Sequence, residues 1–346
     1  METKLKTNDP CQSYTPVTDI SEGIINGQRV GTAENILKTI DTASGLLAIR
    51  NINHPVVHSG HSIVYHNPIL VGSNTGVYSQ IVAQRGRFIA LMNEVFSGTH
   101  TTANRLEKLA KGQRKWSGIA LCVPIDENEN GIFKPIKLPS RPSISTEDEF
   151  RTFIAMSDKT IDLHRQIIKA WKKNGESIIK FPKNISEAGS NVFPNWNSHL
   201  SPSQANPRYM QFGGEILRQT DIASDIVSSN FVGEKTLHLG QTDIFIAPVQ
   251  INEILHKKAA VVYTSEKLIV VAQEVYAHFS NEPYQTLRSL SLAVSGILDF
   301  DNKLKNLRPD QKLKFASEDQ NSPVIRQFEE LSELVISYQK DFLRIL

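Results

Sequence analysis

A hairpin flanked by regions with helical apolar spacing constrains the fold of this chain more than any other feature of its sequence. The apolar run 116–125 predicts a strand, Asn130–Gly131 is a dipeptide typical of tight hairpin turns, and residues 132–138 predict the returning strand. The chain must therefore combine strands with helices. We expect an α+β fold of mixed helices and short strands in one main body.

Four regions show the apolar spacing or the capping residues of α-helices. They are residues 32–47, residues 77–111, a region capped by Ser145 or Thr146, and a final helix with Ser322 as N-cap and Pro323 in the first position. In residues 236–272 the apolar runs predict strands, and the last two, 259–264 and 267–272, are expected to pair across Ser265–Glu266, with a helix from Ser265 as the alternative. Helices then dominate to the end, so the C-terminal third is predicted to be predominantly helical.

The domain organisation follows from length and composition. With 346 residues, 40% of them hydrophobic and 21% charged, the chain is long enough and apolar enough to bury a core. Residues 1–30 are polar and aperiodic, which predicts a flexible polar arm. Residues 31–346 are expected to form a single large α+β domain, with a subdivision near residues 176–210 as the alternative. We find no repeat of fixed period.

The charge balance and the missing segments limit the partners and the location. The 38 basic and 36 acidic residues give a net charge of +2, which argues against nucleic-acid binding. No apolar run is long enough for a membrane span, and the N-terminus lacks an apolar signal core. We therefore expect a cytoplasmic protein, or one exported without a cleavable signal, with no membrane partner.

A cluster of histidines is the most unusual local feature. His54, His58, His61 and His66 lie in one short stretch, although the whole chain contains only 10 histidines. Imidazole is a good ligand for zinc, iron, copper or nickel, so these four are predicted metal ligands. No acidic residue lies within the stretch, so a carboxylate ligand would have to come from elsewhere. The alternative is a surface loop with solvated rings.

A second candidate site is the pair His278 and Glu282. On a helix, residues four apart share one face, so the carboxylate would orient the imidazole for general acid–base catalysis. Pro283 would end that helix just beyond the pair. The alternative is an ordinary surface pair.

A third candidate lies in the irregular segment 181–207 and the residues that follow it, which are predicted to line a substrate pocket. Aromatic rings supply contact area, and arginine binds carboxylate or phosphate through two hydrogen bonds. The predicted substrate-binding residues are Trp196, His199, Arg208 and Tyr209. The alternative is a structural loop whose aromatic rings fill the core.

The pair His278 and Glu282, together with an upstream serine, resembles the Ser…His-x-x-x-Glu pattern of bacterial effector toxins that transfer or modify adenine nucleotides. In those proteins the motif residues form the active site. The resemblance implies the same role here, with the serine left open among Ser59, Ser62, Ser228 and Ser229.

The common signatures of nucleotide-binding loops, serine hydrolases and zinc proteases are missing from the sequence, and its two cysteines are distant, so the cofactor stays open. We expect an enzyme that acts on a small anionic molecule through histidine acid–base or metal-assisted chemistry. The alternative is a non-catalytic protein, such as a secreted effector, that binds a protein partner.

Overall fold

The computed structural model describes residues 12–18, 20, 22–25, 28–98, 108, 112–127, 133–138, 148–174, 213–281, 285–299, 303–313 and 323–344. These residues include twelve β-strands and four α-helices. The chain divides into two compact units, Met1–Ile161 and Asp162–Arg344, which we call unit 1 and unit 2.

Unit 1 is an antiparallel sheet with one long helix lying against it. Its strands occur in the order β1-β5-β6-β7-β4, β8 pairs with the C-terminal end of β7, and β2 and β3 form a separate pair. Helix α1 packs on the sheet and ends where Asn53 adopts a left-handed conformation, which asparagine tolerates well. The elements are β1 (Gln12–Pro16), β2 (Glu22–Ile25), β3 (Gln28–Gly31), α1 (Glu34–Ile52), β4 (Val56–Tyr65), β5 (Asn74–Arg85), β6 (Phe88–Gly98), β7 (Arg114–Glu127) and β8 (Phe133–Pro135).

Unit 2 repeats this plan. Helix α3 packs on an antiparallel sheet with the strand order β9-β12-β11-β10, and α4 packs on β10 and β12. The boundary between the units falls within the helix α2 (Asp148–Asn174). The elements of unit 2 are α3 (Gly213–Val232), β9 (Leu237–Phe245), β10 (Ile254–Thr264), β11 (Leu268–His278), β12 (Thr286–Gly296), a 3-10 turn (Pro309–Gln311) and α4 (Pro323–Arg344).

The two units are related by an internal repeat. Each has a long helix followed by four strands, with the order β5-β6-β7-β4 in unit 1 and β10-β11-β12-β9 in unit 2. From the helix to the third strand, equivalent residues are separated by a constant interval of 180. The residues shared at this interval include Ile36/Ile216, Leu37/Leu217, Asp41/Asp221, Ala43/Ala223, Ser44/Ser224, His58/His238, Gly60/Gly240, Pro68/Pro248 and Glu94/Glu274. The expectation that no repeat exists is therefore wrong.

Backbone irregularities recur at the same interval. Positive φ angles occur at Asn53 and at the equivalent Gly233, and at Gly72 and the equivalent Asn252. The register of the first hairpin shifts between Ile81 and Ala83 in unit 1, and at the same place, between Val261 and Tyr263, in unit 2. The correspondence therefore extends to bulges and turns as well as to the order of elements.

The predicted fold class is wrong. Residues 77–111, expected to be helical, contain most of β5 and all of β6, and the C-terminal third contains four strands of 9 to 11 residues. The described part of the chain is dominated by long antiparallel strands. The physical reason is burial on both faces. Ten of the eleven residues of β6 are buried, so its apolar residues do not alternate with polar ones.

Several local predictions are confirmed. Helix α1, the β7–β8 hairpin and the pairing of β10 with β11 across Ser265–Glu266 all form, and α4 begins at Pro323 as its capping sequence predicts. The predicted arm, residues 1–30, contains β1 and β2 and most of β3 among its described residues. The alternative subdivision at 176–210 lies outside the described residues. No helix in the described residues is long and apolar enough to cross a membrane.

Candidate functional site

The histidine stretch forms strand β4, and two of its four histidines meet a carboxylate from α1. Nδ1 of His58 lies 3.1 Å from Oδ1 of Asp41 and 2.7 Å from Nε2 of His61. Nε2 of His61 lies 3.7 Å from the same carboxylate oxygen. The three side chains are 9%, 5% and 0% exposed for His58, Asp41 and His61. The helix thus supplies the acidic group that the stretch itself lacks.

A β-bulge brings the two histidines together. Residues three apart in a regular strand point to opposite faces, yet His58 and His61 both contact Asp41. In the pairing of β4 with β7, His58 lies opposite Cys122 and Gly60 lies opposite Leu121, so Ser59 is the extra residue. This extra residue restores both histidines to the face that packs on α1.

In the cluster of unit 1, burial keeps the ring of His58 neutral. Nδ1 of His58 faces Asp41 and His61, and Nε2 on the other side of the ring lies 3.6 Å from Sγ of Cys122. Burial lowers the pKa of His58 to about 4, although Asp41 opposes the change. Burial, together with Asp41, raises the pKa of Cys122, so the sulfur is a thiol.

Unit 2 repeats the Asp–His pair, but here the pKa of the histidine is raised instead of lowered. Nδ1 of His238 is hydrogen bonded to Oδ1 of Asp221, and Nε2 of His238 lies 3.0 Å from the carbonyl oxygen of Gly240. Both nitrogens therefore face acceptors, which favours the doubly protonated ring. Burial lowers the pKa of His238, but the carboxylate of Asp221 outweighs it, and the net pKa is raised.

A second carboxyl group lies beside this pair. Burial raises the pKa of Asp225, although the charge of His238 opposes the change, and Oδ1 of Asp225 accepts a hydrogen bond of 3.3 Å from the hydroxyl of Thr236. The site of unit 2 therefore contains the hydrogen-bonded pair Asp221 and His238 next to a carboxyl group whose pKa is raised.

The other two predicted metal ligands lie just outside the two ends of β4. His54 is exposed, and Nε2 of His66 is hydrogen bonded at 2.6 Å to the hydroxyl of Ser117. Burial and the charge of Arg114 lower the pKa of His66 to about 4. Among the described residues, the group whose ligand atoms lie within 4.8 Å of one another consists of Asp41, His58 and His61. Metal binding by these residues stays a prediction.

His278 ends strand β11, so the helical argument that paired it with Glu282 does not hold. Its Nε2 lies 3.1 Å from Nε2 of His256 on the neighbouring strand, and its Nδ1 donates to the carbonyl oxygen of Phe279. Glu282 lies outside the described residues, as do the four predicted substrate-binding residues Trp196, His199, Arg208 and Tyr209. Their roles stay predictions.

A long helix lying against an antiparallel sheet, in the strand order found twice here, is the hotdog fold. The chain is similar to a Lactobacillus plantarum protein whose assignment as an oleoyl thioesterase is itself provisional, with a TM-score of 0.51 and 9% identity over 84% of this chain and 96% of that one. It is also similar to the 12:0-ACP thioesterase of Umbellularia californica, with a TM-score of 0.49 and 9% identity over 82% and 93% of the two chains. An acyl-ACP thioesterase from Bacteroides thetaiotaomicron gives a TM-score of 0.47 and 11% identity over 84% of this chain and 100% of that one.

No protein-family model matches the sequence, and no curated protein matches it. At these identities the likeness to the Lactobacillus protein establishes the fold alone.

The residues that sequence reasoning missed are the two helical carboxylates, Asp41 and Asp221. A single aspartate in an amphipathic helix is typical of a solvated face. A signal was nevertheless present: Asp-x-Ala-Ser and His-x-Gly occur twice with the same separation, at Asp41 and His58 and again at Asp221 and His238.

Proposed function

We propose that this chain hydrolyses acyl thioesters, with Asp221 of unit 2 as the general base. The observation that carries the proposal is the buried Asp–His pair that both units retain between the helix and the first strand after it. The hotdog fold, which the chain shares with a protein described as a thioesterase, supports the substrate class.

The chemistry of a thioester suits a site that supplies a base. Water attacks the carbonyl carbon, its proton passes to the base, and the carbon–sulfur bond breaks to release a carboxylic acid and a thiolate, which takes up the proton. A thiol has a pKa of about 8.5, so its thiolate leaves without prior protonation. An ionised carboxylate that holds a water molecule is therefore sufficient for the attack.

Unit 2 fits this role better than unit 1. His238 uses both nitrogens to hold Asp221 and the strand, which fixes the orientation of the carboxylate. The side chain of Asp221 is 14% exposed, whereas that of Asp41 is 5% exposed. In unit 1, Nε2 of His58 already faces Cys122. We therefore assign catalysis to Asp221 and a mainly structural role to the cluster of unit 1.

Release of free thiol from acyl coenzyme A substrates, from acetyl to oleoyl, tests the proposal. We expect the native protein to release thiol with at least one chain length, and Asp221→Asn to lower kcat by a factor of about 100 to 10,000, as expected for loss of a general base. Asp41→Asn is the matched variant in unit 1 and should retain most of kcat. Absence of thiol release across the series, or full activity of Asp221→Asn, would overturn the assignment.

A divalent metal bound by Asp41, His58 and His61 is a second candidate function. It is favoured by the spacing of the three ligand atoms, two from imidazole and one from a carboxylate. Zinc titration followed by elemental analysis of the gel-filtered protein should give about one equivalent, and His61→Ala should lose it. Equal zinc retention by the variant and the native protein would reject this site.

A further inference from the structure

Gln241, Ser291 and Ser295 are among the buried polar side chains of unit 2 that make no hydrogen bond within the described part of the chain. Neither amide atom of Gln241 has a partner, although the residue is 0% exposed. The hydroxyl groups of Ser291 and Ser295 also lack partners, and these residues are 2% and 0% exposed. Buried polar groups in native proteins are nearly always paired, so these three require an explanation.

All three lie on the face of the sheet that packs on α3. Gln241 is two residues before Asp243, which accepts a hydrogen bond of 3.2 Å from Thr220 of α3. Residues two apart on a strand share a face, so Gln241 also faces the helix. Ser291 lies opposite Asp243 in the pairing of β12 with β9 and therefore belongs to the same face.

Gln241 and Ser295 flank the proposed catalytic pair. Ser295 lies opposite His238 in the β12–β9 pairing, and Gln241 lies opposite Ala293, two residues before Ser295 on the same face. The register shift between Val294 and Ser295 reproduces the bulge of unit 1. The unpaired groups are therefore placed beside the His238 that holds Asp221.

At two of the equivalent positions of unit 1 a side chain contacts the ring of His58, and at the third there is no side chain. His61 takes the place of Gln241 and contacts His58 at 2.7 Å, and Cys122 takes the place of Ser295 and lies 3.6 Å from the same ring. Gly118 takes the place of Ser291, and a Cβ atom there would lie 2.4 Å from the carbonyl oxygen of Ser62. At these three positions unit 1 therefore has no counterpart of the unpaired amide and hydroxyl groups of unit 2.

We propose that Nε2 of Gln241 and Oγ of Ser295 donate hydrogen bonds to the carbonyl oxygen of a bound acyl thioester, beside the carboxylate of Asp221. The inference rests on the proposed function and adds to it the group that binds the substrate carbonyl. When water attacks, negative charge develops on that oxygen. Neutral donors already in place and shielded from solvent stabilise this charge without reorganisation. Unpaired donors next to a base are the arrangement that such a step requires.

The test combines activity with stability in the full-length protein. Gln241→Leu and Ser295→Ala each remove an unpaired buried polar group, so the melting temperature should stay the same or rise by a few degrees. The same variants should lower kcat for acyl coenzyme A hydrolysis by about 100-fold, with KM changed by less than about 3-fold. Ser332→Ala is the matched control, because Ser332 of α4 is also 0% exposed with an unpaired hydroxyl, and it should leave kcat unchanged.

The outcomes separate this inference from the proposed function. A native protein without thiol release refutes the proposed function and this inference with it. If the native protein is active and both Gln241→Leu and Ser295→Ala have the same kcat as the native protein, the inference alone is refuted. Ordered water would then bind these groups. If Gln241→Leu does not fold, the smaller change Ser295→Ala decides the question.

Discussion

Lys257 places an amino group in the interior of unit 2, where unit 1 has an apolar side chain. The residue is 3% exposed, and the equivalent position in unit 1 is Val77, which is 0% exposed. Burial, and then the charge of Arg218, lowers the pKa of Lys257 from 10.5 to about 7, while Glu215 opposes the change. The variant Lys257→Val therefore replaces a charged group by the residue that the other unit uses.

The magnitude follows from the change in pKa. A fall from 10.5 to about 7 corresponds to about 5 kcal/mol of unfavourable free energy for the charged amine in the folded state. Between these pH values the unfolded chain binds more protons than the folded one, so the free energy of unfolding rises with pH. Below about pH 7 the penalty is fully present. Raising the pH from 7 to 9.5 should thus stabilise the native protein by about 3 kcal/mol relative to the variant.

Urea unfolding at pH 7 and pH 9.5 measures this difference. We expect Lys257→Val to be the more stable protein at pH 7 and to lose its advantage as the pH rises. Glu215 keeps a partner in the variant, because it pairs with Arg218 at 2.5 Å. Parallel pH dependences for the two proteins, or a less stable variant at pH 7, would refute the reasoning.

Two further predictions concern unit 1. Because the pKa of His58 is lowered from 6.5 to about 4, the unfolded chain binds more protons in this window, so stability falls by about 3 kcal/mol as the pH drops from about 6.5 to 4. Urea unfolding across this range should show a shallower loss for His58→Gln, and an unchanged slope would contradict the shift. The buried Oδ1 of Asn93 accepts hydrogen bonds of 2.9 Å from Ser44 and 2.6 Å from Ser79, so Asn93→Ala should destabilise the protein by about 2–3 kcal/mol. A loss below about 0.5 kcal/mol at pH 7 would show that both hydroxyl groups find other partners.

The sequence predicts elements that have local signals, such as a cap or an apolar stripe. It fails for strands that are buried on both faces, because these lack the alternation of apolar and polar residues. Helix α4 begins at Pro323 because its cap and apolar stripe are local signals. In β5 and β6 the apolar residues lie on both faces, and their spacing from Val77 to Phe96 imitates a helix. The strands are recognisable as strands only through their partners, which are distant in sequence.

The candidate sites show the same division. The density of histidines identified His58 and His61, and the structure does bring them together. In a regular strand, residues three apart point to opposite faces. Only the extra residue Ser59 places both histidines on the same face. Asp41 comes from the preceding helix, and no feature within the histidine stretch indicates which helix would pack on it.

The register shifts of the two units bear on their history. The pairing with the fourth strand shifts between His58 and Gly60 in unit 1 and between His238 and Gly240 in unit 2. Inheritance from one ancestral unit explains this coincidence more simply than separate origins. That ancestor already had the bulge, the helical aspartate and the histidine opposite it. One position differs between the copies, with Gln241 in unit 2 and His61 in unit 1. This difference arose after the duplication, when a change in one copy left the other intact.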